Sequence, residues 1–260
     1  MKIISNFYDG KFIKSESTDK LSLFKPTTGE EYAHIPITTD KEFQSIIDKM
    51  KIAQASWANT PITKRSSILF KFKNLIEKNF DDIARIISEE HGKVFSDAKG
   101  SLQRGLEVVD FACGIPHLLK GNHSINVGTN VDSFDIKQPL GLCAGITPFN
   151  FPAMVPMWMF PISIACGNAF MLKPSEKVPQ CSLKLGELLN EAGLPENVLT
   201  IVNGDKSVVD KILQSPDISS VSFVGSTPVA KYIYTECAKY NKRVQALGGA
   251  KNHMLIMEDA

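Results

Sequence analysis

Leu142–Ser175 reads LCAGITPFNFPAMVPMWMFPISIACGNAFMLKPS, and the fold turns on this stretch. A short apolar run is broken by Pro148-Phe149-Asn150-Phe151-Pro152, a long apolar segment follows, and a second short run, Asn168 to Leu172, ends at Lys173-Pro174-Ser175-Glu176. Short run, punctuated turn, helix-length segment and short run are the strand, helix and strand of a βαβ unit. The two polar motifs therefore fall where strands end, which is where open α/β sheets bind ligands. Asn150 sits among aromatics and prolines that fix the backbone, a setting that aims one amide at a buried reacting atom. Lys173 and Glu176 bring a cation and a carboxylate to the end of the next strand.

Outward from this unit toward the C-terminus the alternation continues. Helices are expected over Met154 to Cys166, Pro179 to Ala192, Lys206 to Gln214 and Pro228 to Tyr240. Strands are expected over Gly141 to Ile146, Ala169 to Leu172, Leu199 to Val202, Ser220 to Val224, Arg243 to Ala246 and Met254 to Met257. Such an order predicts an α/β fold, a parallel sheet with helices on both faces. Toward the N-terminus, Asp9-Gly10 between two apolar-aromatic runs predicts a hairpin, and Leu23 to Ile35 a second one turning at Thr28-Gly29. Thr39-Asp40-Lys41-Glu42 is a capping box ahead of a helix to about Trp57. Pro61 starts another, and further helices are expected over Asp81 to Glu90 and Val94 to about Leu119. Asn122 to Gln138, alternating and polar-rich, predicts a pair of strands that either stands as an exposed hairpin or is covered by a partner subunit.

Composition narrows the function. In 260 residues, 29 basic and 28 acidic side chains leave a net charge of +1, so neither nucleic acid nor an anionic membrane surface is called for as a partner. Asn150, Asn168 and several prolines interrupt the apolar stretch Phe149 to Phe170, which argues for buried elements and against a membrane span. The N-terminus lacks the apolar core of a secretory signal, and a cytoplasmic location is expected. Cys113, Cys143, Cys166, Cys181 and Cys237 have no CxxC spacing and no His at ligand spacing, so buried thiols are expected and no metal site.

Four segments, Pro148 to Pro152, Lys173 to Glu176, Phe223-Val224-Gly225-Ser226 and Leu247-Gly248-Gly249-Ala250-Lys251-Asn252, stand in the order found in the aldehyde dehydrogenase superfamily, which the whole chain resembles. Within it the chain is most similar to the coenzyme A-acylating branch, the methylmalonate-semialdehyde dehydrogenases, through Pro139 to Ile146, Trp158-Met159-Phe160-Pro161 and Arg243-Val244-Gln245. Hydrolytic relatives carry a Glu directly before Leu-Gly-Gly to activate water; Ala246 stands there, which leaves the acyl group to a thiol.

The resemblance implies a role for each matching residue. Gly225 and Ser226, between a strand and a helix, would meet the pyrophosphate of NAD at a helix N-terminus, although Gly-Ser is equally a good cap. Lys173 and Glu176 would hold the adenosine ribose, and a carboxylate there repels a 2'-phosphate, so NAD is favoured over NADP. Thr147, Phe149, Lys177 and Gly248 match further cofactor-lining positions. Asn150 would be the oxyanion donor and Arg104 would face the substrate carboxylate with its planar fork.

The implied division is an NAD-binding domain over 1–121 and 141–260, with a β-hairpin oligomerisation arm over 122–140. The family's nucleophilic Cys is expected beyond Ala260, so the chain would be a cofactor-binding N-terminal part without the catalytic domain, inactive alone and prone to associate. The implied reaction oxidises methylmalonate or malonate semialdehyde with NAD and passes the acyl group through a Cys thioester to coenzyme A, in a full-length homo-oligomer, dimer or tetramer. The alternative is a noncatalytic NAD-binding or subunit-interaction fragment.

Overall fold

The computed structural model describes residues 2–260. In chain order, strands β1 (Lys2–Ile3), β2 (Asn6–Tyr8), β3 (Lys11–Ile13), β4 (Lys20–Phe24) and β5 (Glu31–Pro36) precede helices α1 (Asp40–Ala58), α2 (Ile62–Lys78), α3 (Phe80–His91), α4 (Phe95–Cys113) and α5 (Ile115–Leu118). The hairpin β6 (His123–Gly128) and β7 (Val131–Phe134) follows. Strand and helix then alternate through β8 (Leu142–Ile146), α6 (Met154–Ala165), β9 (Ala169–Lys173), α7 (Pro179–Glu191) and β10 (Leu199–Ile201). The series closes with α8 (Lys206–Gln214), β11 (Ile218–Val224), α9 (Thr227–Lys239) and β12 (Arg243–Leu247).

The main sheet has the order β12-β11-β8-β9-β10-β2-β3. Its first five members run parallel, as the alternation predicted, with Ala144 opposite both Met171 and Val221. The N-terminal hairpin extends this sheet: β2 pairs antiparallel with β10 through Phe7 and Ile201. Asp9 and Gly10 adopt positive φ, 52° and 64°, the paired left-handed turn that Asp-Gly favours. Strands β1, β5 and β4 form a separate small sheet.

Side chains alternate between two cores. Leu142, Ala144 and Ile146 of β8 and Met171 of β9 face α1, α8 and α9, while Cys143 of β8 and Phe170 and Leu172 of β9 join the core of α2, α3, α4, α6 and α7. Strands covered on both faces read as continuous apolar runs, which is why LCAGI and AFML carry no polar alternation. Gly145 is required here: a Cβ would come within 2.6 Å of the Phe170 ring and 2.9 Å of the Met159 sulfur.

Two expectations are corrected. The helix expected over Val94 to Leu119 breaks at Gly114, because Pro116 has no N–H and its ring would clash with the preceding turn. Met254 to Met257 forms no strand; these side chains are 62–87% exposed and no neighbouring strand pairs with them. The arm does form as a hairpin, with Ile125, Val127, Val131 and Phe134 exposed along it. No helix of the described residues is long and apolar enough to cross a membrane.

Candidate active site

The C-terminal ends of β8, β9 and β11 are adjacent in the sheet, and the expected polar residues gather along this edge. Thr147 follows β8 and is buried, its N–H donating to the Lys173 carbonyl at 3.2 Å. Lys173 ends β9 at 3% exposure, and its Nζ donates to Glu176 Oε2 at 3.2 Å. Burial depresses the Lys173 pKa, opposed by the carboxylates of Glu176 and Asp205. A desolvated ammonium with one half-exposed carboxylate partner is a poor stabilising device and a good ligand-binding one.

Beyond β11, Gly225 and Ser226 lead into α9. The Gly225 N–H donates to the Leu247 carbonyl at 3.1 Å, and a Cβ on Gly225 would collide with the Phe223 ring at 2.4 Å. Ser226 occupies the N-cap position of α9, yet its side chain makes no capping hydrogen bond. Pro228, in the first turn, removes a capping donor. A free hydroxyl thus stands before the positive end of a helix, a setting suited to a phosphate. Gly248 packs beside it: a Cβ there would lie 3.0 Å from Thr227 Oγ1, which accepts the Gly249 N–H at 3.0 Å.

Phe149 is exposed, stacks on His91 with centroids 6.2 Å apart, and carries the Lys177 ammonium 5.0 Å from its ring centroid. These residues line a cavity of about 570 Å³ together with Glu90 and Glu176. Asn150 is exposed in the loop between β8 and α6 and makes no hydrogen bond to another described residue. Arg104 is exposed on α4. Its neighbour Gly105 packs on Met154 and Met157, so this part of α4 crosses the first turn of α6, just after the Asn150 loop.

Sequence reasoning missed three contributors. Asp205, at the N-cap of α8, faces Lys173; Thr227 stitches Gly249 to α9; Glu90 accepts from the backbone of α7. Only Asp205, a capping-type residue after a strand, carried a local signal. The five thiols stand apart from this edge chemistry. Burial raises Cys113 and Cys237 to about 11, and raises Cys143, Cys166 and Cys181 above the ordinary thiol value. Among the described residues no cluster of three or more His, Cys, Asp or Glu could hold a metal ion.

A strand edge with a buried lysine, its carboxylate partner and an uncapped helix start is where an open α/β sheet can take a ligand, and comparison with known proteins gives the family. The model of the aldehyde dehydrogenase family matches residues 12–260, so this chain belongs to that family. It is 50% identical over its whole length to 52% of a malonate-semialdehyde dehydrogenase of Pseudomonas aeruginosa. It is 47% identical, over 99% of the chain and 42% of the relative, to the acylating mitochondrial methylmalonate-semialdehyde dehydrogenase of Arabidopsis thaliana. A Sinorhizobium meliloti structure, described as a methylmalonate-semialdehyde dehydrogenase complexed with NAD, superposes with a TM-score of 0.95 at 48% identity, covering 97% of this chain and 52% of that one. The chain spans about half the length of the curated relatives it matches.

Proposed function

We propose that this chain binds NAD at the edge of β8, β9 and β11 and forms the cofactor-binding part of a coenzyme A-acylating dehydrogenase for malonate or methylmalonate semialdehyde. The observation that carries the reading is Ser226, a hydroxyl at a helix start that makes no cap, on the same sheet edge as the buried Lys173 and its partner Glu176. Bound NAD would supply the acceptor for the hydride leaving the aldehyde carbon. Ser226 and the first amides of α9 would hold its pyrophosphate, and Lys173 and Glu176 its adenosine ribose. Gly225, Gly248 and Thr147 leave and shape the space, and Phe149 and Lys177 would border it.

Asn150, its amide free of protein partners, would donate to the oxyanion formed when a Cys thiolate adds to the aldehyde. Desolvation raises the pKa of each of the five thiols here, which disfavours them as the source of that thiolate. Arg104 would face the substrate carboxylate. Ala246, half-buried on β12, brings no base for water, so the thiol of coenzyme A would displace the enzyme thiolate from the acyl carbon. Residues 1–121 and 141–260 would form the NAD-binding unit, and the arm 122–140 would cover its exposed apolar side chains against a second copy in a homo-oligomer.

Calorimetric titration of NAD into the chain tests the reading. Saturable binding that Lys173→Met weakens is expected; heats no larger than dilution would overturn it.

A further inference from the structure

Helix α7 has no cap from its own sequence. Val178 stands at its N-cap without a side-chain hydrogen bond, and Pro179 fills the first position with no N–H to offer. The next two donors go to a different element. Glu90, in the last turn of α3, accepts the Gln180 N–H at 2.6 Å on one carboxylate oxygen and the Cys181 N–H at 3.0 Å on the other. At 4% exposure this carboxyl has lost its water, and the first turn of a helix supplies in exchange both N–H donors and a favourable dipole. Gln180 is itself held, its side chain donating to Tyr32 Oη at 3.3 Å and accepting from Lys2 Nζ at 2.9 Å.

Between Lys173 and α7 runs a tight turn. Within it the Lys177 N–H donates to Ser175 Oγ at 3.3 Å and the Val178 N–H to the Ser175 carbonyl at 3.2 Å. One end of that turn is fixed by β9 and the other by Glu90, and Glu90, Glu176 and Lys177 line one cavity. We infer that Glu90 is a positioning residue for the cofactor edge: by holding the first turn of α7 it fixes where Glu176 and Lys177 stand beside Lys173. The inference rests on the NAD reading above.

The charged and titratable groups facing Glu90 are Lys2 of β1, Tyr32 of β5, Cys181 of α7, and Glu89 and His91 of its own helix. Burial raises Glu90 to about 7, against the pull of the Gln180 and Cys181 amides and of Lys2. Its grip on α7 therefore strengthens on ionisation, near neutrality.

The test is a calorimetric titration of NAD into the 260-residue chain and its Glu90→Gln, Glu176→Gln and doubly substituted forms, from about pH 6 to about pH 8.5, with amide exchange followed over residues 174–181. Glu90→Gln should raise the NAD Kd about fivefold at the alkaline end and cost clearly less once Glu176 is Gln. The wild-type Kd should rise as pH falls through neutrality, with no such break in Glu90→Gln, and Glu176 and Lys177 should exchange faster in that variant. Equal Kd values in the two forms, or independent addition of the two substitutions, would overturn the inference. Should Glu90→Gln fail to fold, the wild-type pH profile decides, and a flat one counts against it. Should the wild type bind no NAD, the cofactor reading falls; unchanged exchange at Glu176 and Lys177 in Glu90→Gln would then remove the positioning role as well.

Discussion

Helices α1 and α9 both start after a hydroxyl residue in extended backbone, Thr39 at φ −71°, ψ 164° and Ser226 at φ −71°, ψ 150°. From nearly the same geometry they diverge. The Glu42 N–H donates to Thr39 Oγ1 at 3.2 Å while Glu42 Oε2 accepts the Thr39 N–H at 2.9 Å, and Ser15 and the Glu16 N–H also donate to that carboxylate. The start of α1 is closed by its own sequence. In α9 the third helical residue is Val229 in place of an acid and the second is Pro228, so nothing local closes the start. A helix start filled from within serves stability; one left open at the C-terminal edge of a parallel sheet has donors to offer an anion, the role proposed for α9.

The contrast can be broken most strongly by filling the open seat. Ser226→Asp places a carboxylate where a pyrophosphate is proposed to lie, and like charges brought together in a binding site cost several kcal/mol. NAD affinity should fall by about a hundredfold or more. The unfolding free energy should hold or rise by about 0.5 kcal/mol, because the charge suits the helix dipole. Calorimetry and urea unfolding on one preparation check both halves. Lys173→Met comes next: loss of a charged donor to the ligand should weaken NAD about tenfold to a hundredfold. Stability should be unchanged or higher by about 1 kcal/mol, since a buried cation is exchanged for apolar volume.

The third start, that of α7, is closed from outside by Glu90, and pH sharpens this case. Its folded pKa of about 7 lies above the ordinary 4.5. Between those values the native state holds a proton that the unfolded chain has released, so unfolding gives up a proton and stability falls as pH rises. The contribution is full below about 4.5 and is lost as pH rises through about 7. Urea midpoints of the wild type should therefore fall over that window relative to Glu90→Gln, and parallel curves would contradict the assignment. On the proposal above, ionisation weakens the fold while tightening the hold on α7, stability exchanged for the placing of the cofactor edge.

These three starts also explain what the sequence made legible. Thr39-x-x-Glu42, Asp9-Gly10 and the apolar runs around Pro148 and Lys173 are local signals, and each element they predict is present. Thr147, Lys173, Glu176, Gly225 and Ser226 stand at or just past strand ends, as the apolar runs before them predicted, while their roles toward NAD came from the family resemblance and stay part of the proposal. Pairings across the chain were not legible: Phe7 meets Ile201, and Glu90 reaches Gln180, through contacts no short window contains. Nor does β propensity make a strand without a partner, as Met254 to Met257 shows. Thr39→Ala measures the local kind of signal: about 1 kcal/mol of stability lost, with NAD affinity unchanged.

Ser226→Ala gives the smallest change in stability and the sharpest separation of the two helix starts. A serine that caps its helix costs about 1 kcal/mol to replace with alanine, because an amide donor is left bare. The Ser226 hydroxyl receives no such donor, so its loss should move the unfolding free energy by less than about 0.5 kcal/mol. Its proposed work lies wholly in the complex, where one hydrogen bond to a charged oxygen is worth about 1.5 kcal/mol or more, and the NAD Kd should rise about tenfold. Thr39→Ala and Ser226→Ala are thus mirror images, one visible only in unfolding and the other only in binding. If Ser226→Ala instead destabilised as much as Thr39→Ala and left NAD affinity alone, the two starts would be equivalent and α9 would lose its claim to the phosphate.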